Sequence, residues 1–85
     1  MAKYKCNTYT IYFTWLDRDN SNGSGYIRED STEFDVSIGN ETELLELFMG
    51  FVEENNMEHV HISFIEHVGT ATYNPDGSVD EKRFV

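Results

Sequence analysis

The sequence predicts an α+β fold, a two-layer sandwich in which one amphipathic helix lies on a mainly antiparallel sheet of four or five strands. The expected order is β-β-α-β-β, and a fifth strand is expected in addition. Three observations lead there. Only Asn40–Asn55, NETELLELFMGFVEEN, repeats its apolar residues at helical spacing. Residues 3–16 alternate apolar and polar side chains with the period of a strand. The remaining strand-like runs are separated by clusters of Asn, Asp, Gly, Ser and Pro. One helix covers only one face of such a sheet, so the other face must meet water, as antiparallel sheets commonly do.

Each element has its own warrant. In residues 3–16, Tyr9, Ile11, Phe13 and Trp15 point one way, while Cys6, Thr8, Thr10, Tyr12 and Thr14 point the other. Asp17–Gly25, DRDNSNGSG, is a loop with Asn-Gly at its centre. A second strand falls within Tyr26–Ile38, with Phe34, Val36 and Ile38 towards the core and Glu33, Asp35 and Ser37 away from it. Its polar portion, Arg28–Ser31, is open to reading as a bulge, a bend or an edge.

In the helix, Leu44, Leu45, Phe48, Phe51 and Val52 share one face, with Leu47 and Met49 at its margins. Asn40 suits the N-cap, and Glu43 three residues later completes a capping-box pattern. Asn55-Asn56 supplies a left-handed residue to end it. In Glu58–Val68, Val60, Ile62 and Phe64 alternate with His59, His61 and Ser63, and Gly69 kinks or ends the strand. Thr70–Asn74 and Val79–Phe84 then flank Pro75-Asp76-Gly77-Ser78, in which Pro fixes one corner and Gly permits positive φ.

Eighty-five residues are expected to form a single domain, 1–85, with 14% aromatics supplying large buried areas. A lone cysteine, Cys6, excludes an internal disulfide and suits a reducing compartment. The N-terminus lacks the apolar run of a signal peptide, and no segment reaches transmembrane length, so a cytoplasmic protein is expected.

Charge is the extreme property. Sixteen acids face six bases, giving a net charge of −10, and from Glu29 to Glu81 there are fourteen acids and no lysine or arginine. Such a field repels nucleic acid and anionic membranes and attracts basic surfaces.

Chemistry-bearing patterns are sparse. His59 and His61 would lie on one strand face about 6.7 Å apart, and such a pair can begin a zinc or nickel site. No cysteine or carboxylate stands at ligand spacing, so the bland reading is a solvated face. Asp17-x-Asp19-x-Ser21-x-Gly23 is similar to the start of a calcium loop, but its glycine is one place late and Arg28 stands where a bidentate glutamate belongs. A polar hairpin loop is the simpler reading. Cys6 has no basic cluster beside it to activate a thiolate. No nucleophile–base arrangement or phosphate loop is present, and no carboxylate pair stands out as acid and base. No enzyme activity, cofactor or bound metal is expected.

The acids remain. Glu43, Glu46, Glu53 and Glu54 line the polar helix face with no cation at i±3 or i±4. Glu53 and Glu54 stand against the negative end of their own helix dipole, at a cost of about 0.3–1 kcal/mol each. Glu29, Glu33 and Asp35 share one face of the second strand. Solubility alone is one explanation of this surface; a basic partner is the other. In size, charge and layout the chain resembles the small acidic inhibitors of phages and other mobile elements. These include anti-CRISPR proteins, DNA mimics such as the uracil-DNA glycosylase inhibitor, and nuclease-immunity proteins of the barstar kind. The resemblance is one of type and carries no site residue with it.

The expected function is a non-enzymatic inhibitor or binding module, monomeric or weakly dimeric. It would present Glu29, Glu33, Asp35, Glu43, Glu46, Glu53 and Glu54 to the nucleic-acid-binding surface of a basic protein, with Tyr12 or Tyr26 as aromatic anchors. The alternatives are an assembly protein that self-associates through its open sheet face or an edge strand, and a metal-dependent site at His59 and His61.

Overall fold

The computed structural model describes residues 2–18 and 25–84. Four strands and one helix follow in the order β1 (Tyr4–Arg18), β2 (Gly25–Ser37), α1 (Glu43–Glu54), β3 (Glu58–Tyr73) and β4 (Val79–Phe84). All strand pairs are antiparallel and the sheet order is β2-β1-β3-β4. The fold is therefore α+β, a curled four-stranded antiparallel sheet with one helix. Thr70–Asn74 does not open a fifth strand: β3 runs unbroken through Gly69 to Tyr73. Gly69 is kept small by proximity, since a Cβ there would overlap the Arg83 carbonyl on β4.

The helix packs on the odd-numbered face of β1, as alternation requires. Ile11, Phe13 and Val36 are buried with Leu44 and Phe48, and Tyr9, Trp15, Phe34, Phe51 and Val52 pack around them. Phe13 meets Phe48 edge-on at 5.2 Å between ring centres, a favoured aromatic geometry. Leu45, assigned to this face, is instead half exposed, because only the Leu44–Phe48–Phe51–Val52 arc reaches the sheet. Ile38 lies beyond the end of β2 and is exposed.

The helix starts later than its capping pattern implies. Asn40–Thr42 form a turn, and Thr42 at the N-cap makes no side-chain capping bond. Asn40 still contributes: its carbonyl accepts the Glu43 N–H at 3.1 Å and its amide donates to the Glu43 carboxylate at 2.9 Å. Asn56, at φ 52°, is the left-handed residue after the C-terminus. The Pro75–Ser78 turn forms as expected, with Gly77 at φ 91°.

Three irregularities interrupt the alternation of β3 against β1. Register shifts fall between Thr8 and Tyr9, between Tyr12 and Phe13, and between Thr14 and Leu16. They leave Val68, Ser63 and the His59–Val60 region as extra residues. Each bulge flips the following side chains to the other face. Phe64 therefore leaves the core face and stacks on Tyr12 at 4.4 Å, while Ile62 and Ile65 pair with Phe13 and Ile11 on the helix side.

Candidate functional site

The seven acids singled out in the sequence separate into three groups. On β2, Asp35 pairs in register with Thr8, Glu33 with Thr10 and Glu29 with Thr14, all on the face away from the helix. This face is not uniformly open. Cys6, Thr8 and Ala71 are buried there, and Asp35 sits among donors. Thr8 Oγ1 donates to Asp35 at 2.5 Å, the Tyr73 hydroxyl donates to its other oxygen, and Lys82 Nζ stands 3.7 Å away. Lys82 also donates to Glu33 at 2.9 Å.

These contacts reveal the curl of the sheet. Three strand spacings separate β4 from β2, about 14 Å in a flat sheet. Lys82 on β4 nevertheless reaches both β2 carboxylates, so this end of the sheet bends towards the face opposite the helix. Thr8, Tyr73 and Lys82 were not recognisable from sequence as partners of Asp35. The one available signal was that Lys82 and Arg83 are the only bases after Arg28.

Hydrogen bonding to Asp35, then burial, then the Asp35 charge push the Tyr73 phenol up to about 12. The proton is held more tightly in the folded chain than in the unfolded one. This contribution to stability is complete below about pH 10 and lost as pH rises through about 12. Tyr73→Phe should therefore cost roughly 1.5–3 kcal/mol at neutral pH, the worth of a hydrogen bond to a charged group. In urea melts, the gap between wild type and variant should close between about pH 10 and 12. A constant gap across that range would mean the phenol proton is not what stabilises Asp35.

The helix acids are differently placed. Glu46, Glu53 and Glu54 are exposed and Glu43 is partly so. The first turn holds Glu43 and Glu46, and no basic residue stands in the last. Nearby, the Glu41 carboxylate accepts the Gly39 N–H at 3.2 Å and Asn7 Nδ2 at 3.3 Å, and backbone N–H groups hold its pKa below the usual range.

The ion pairs decide which acids are available. Lys3 pairs with Asp80, Arg18 with Glu58, Arg28 with Asp17, Lys82 with Glu33 and Asp35, and Arg83 with Glu81. Of the six bases, only Lys5 has no carboxylate partner among the described residues. None of these pairs involves the helix, so Glu43, Glu46, Glu53 and Glu54 stay unneutralised. Among the described residues Glu29 also has no ion-pair partner, but it lies on the opposite face of the sheet.

The other candidates resolve as follows. His59 sits in the bulge at φ 52°, so the alternation that would align it with His61 is broken. Among the described residues no group of three His, Cys, Asp or Glu side chains converges on a metal-sized site. Asp19, Ser21 and Gly23 lie outside the described residues, while Asp17 accepts Arg28 Nε at 2.5 Å. Cys6 is buried, and burial together with the charges of Asp35 and Glu43 pushes its thiol up despite a hydrogen bond with Ser37. Tyr12 donates to Glu66 at 3.2 Å beneath Phe64. Tyr26 is half exposed, with the Arg28 guanidinium 4.9 Å from its ring centre. No described helix is long and apolar enough to cross a membrane.

Together these features define a small α+β protein with one neutralised carboxylate cluster inside its curl and one unneutralised row on its helix. No protein-family model matches the chain, and no curated protein or solved structure matches it either.

Proposed function

We propose that this chain is a non-enzymatic binding protein whose helix carboxylates engage a basic, nucleic-acid-binding surface on a partner protein, in the manner of a small acidic inhibitor. One observation carries the reading. Five of the six bases are committed to strand carboxylates, while Glu43, Glu46, Glu53 and Glu54 on the helix have no ion-pair partner among the described residues. A protein that needed acids only for solubility gains nothing by holding two of them against its own helix dipole. Over twelve residues the helix rises about 18 Å, a rigid ruler of negative charge able to occupy lysines and arginines that otherwise neutralise phosphates.

The binding surface is narrower than the sequence implied. Glu33 and Asp35 are removed from it, because breaking their bonds to Lys82, Thr8 and Tyr73 would cost more than a surface contact returns. Glu29 faces away from the helix and cannot share a flat contact with it.

Charge reversal tests this. Glu46→Lys with Glu53→Lys should leave the thermal midpoint unchanged or slightly raised, since Glu53→Lys places a cation at the helix C-terminus. Partner capture with the tagged chain should recover a basic nucleic-acid-binding protein. The double variant should bind that partner more weakly by roughly 1–3 kcal/mol per contact, with a shallower dependence on salt. Unchanged affinity and salt dependence would return the helix acids to a solubility role.

A further inference from the structure

The helix does not extend over the first half of β3, and neither does β4. β4 pairs only with Gly69–Tyr73, so Glu58–Val68 is hydrogen-bonded to β1 on one side and, among the described residues, has no strand on the other. Along this open edge Ile62, Phe64 and Ile65 are 40%, 54% and 40% exposed. Beside it a largely apolar groove of about 630 Å³ runs between the edge and the helix, lined by Leu45, Met49, Val52 and Val60 together with His59 and His61. Natural edges are usually blunted by lysine or proline. This one contains no lysine, arginine or proline.

The bulges supply the further clue. Tyr9, Ile11 and Phe13 place His67, Ile65 and Ile62 on the helix side, where Val60 also packs against the core. Thr10, Tyr12 and Thr14 place Glu66, Phe64 and His61 on the other side. Consider this edge meeting a second copy of itself, antiparallel. Directly opposed residues in such a pair must share a face. One register satisfies this for the whole stretch: Val60 opposite His67, His61 opposite Glu66, Ile62 opposite Ile65, and Ser63 opposite Phe64, each pair occurring twice about the dyad. A shift of one residue sets Ile62 against Phe64, on opposite faces, and a shift of two sets Ile62 against Ser63 or Ile65 against Phe64. In the matched register four isoleucines form one apolar row on the helix side, and each His61 meets a Glu66 across the strands.

We infer that the β3 edge, residues 60–67, is a homodimer interface that joins two four-stranded sheets into one of eight. The edge is suited to self-pairing despite the overall charge, since residues 60–67 contain one carboxylate, Glu66, and two histidines. The dyad of an antiparallel strand pair stands perpendicular to the sheet. Both helices therefore lie on the same side, and the two rows of helix carboxylates face the same way. The dimer does not depend on what those carboxylates bind.

Sedimentation equilibrium of the whole chain tests the interface. The expected result is a reversible dimer that tightens as salt rises from ~50 to ~500 mM, because screening relieves repulsion between two acidic copies. Ile65→Lys should weaken association by at least ~10-fold, the effect of a charge on a pairing edge, with an unchanged circular dichroism spectrum. Ile65→Val should retain it. Ser63→Cys, next to the dyad, should form a disulfide-linked dimer under mild oxidation. A chain that stays monomeric at ~100 µM in high salt overturns the inference. So does a dimer indifferent to Ile65→Lys, or a Ser63→Cys variant that dimerises without cross-linking.

Discussion

Replacing Phe48 by alanine is expected to cost about 3–5 kcal/mol, the largest effect of any single truncation on the helix. The helix holds to the sheet through two buried side chains, Leu44 and Phe48, and Phe48 sits at the centre of an aromatic cluster with Phe13 and Phe51. Phe13 is 1% exposed and would be left with a void on the side that Phe48 fills. A chain of this length has roughly 4–13 kcal/mol of stability in all, so the loss is a large share of it. Urea denaturation followed by helical ellipticity should show it. Leu45→Ala, one residue round the helix at a half-exposed position, should cost under about 1 kcal/mol. Equal losses at the two positions would mean the helix is seated differently.

Gly69→Ala is expected to cost about 2–3 kcal/mol and to act at a distance. The added methyl would occupy the place of the Arg83 carbonyl, and the obstacle is backbone rather than a side chain able to swing aside. β4 is six exposed residues whose strand pairing is confined to Gly69–Tyr73. Displacing it also withdraws Lys82 from Glu33 and Asp35. Hydrogen exchange should show β4 amides losing protection while those of β1 and β2 keep theirs. Unaltered β4 protection would show that the strand tolerates the displacement.

The parts of this structure that are local were legible in the sequence. The helix face, the odd–even split of β1, the left-handed Asn56 and the Pro75–Ser78 turn each follow from periodicity or from the dihedral preferences of one or two residues. The parts that depend on a distant strand were not. Nothing in HISFIEHV marks Ser63 or Val68 as extra residues, because a bulge is fixed by what lies across the ladder. Simple alternation therefore groups Phe64 with Val60 and Ile62, and does not say which strand carries the open edge. Lys82 is three strand spacings and a curl away from Glu33, and neither order nor curl is written in local pattern. The row Glu29, Glu33, Asp35 consequently read as one open surface, whereas the fold neutralises two of the three and turns the third away from the helix. The outward placement of the helix acids was legible because amphipathicity alone fixes which way they point.

Competition between this chain and nucleic acid for the captured partner tests the proposed function most directly. Labelled nucleic acid bound to the partner should be displaced stoichiometrically by wild-type chain, and displacement should fall away with Glu46→Lys and Glu53→Lys. Reversal of Glu29, on the other face, should leave displacement intact. A ternary complex, in which the partner holds nucleic acid and this chain together with neither weakened, would contradict it.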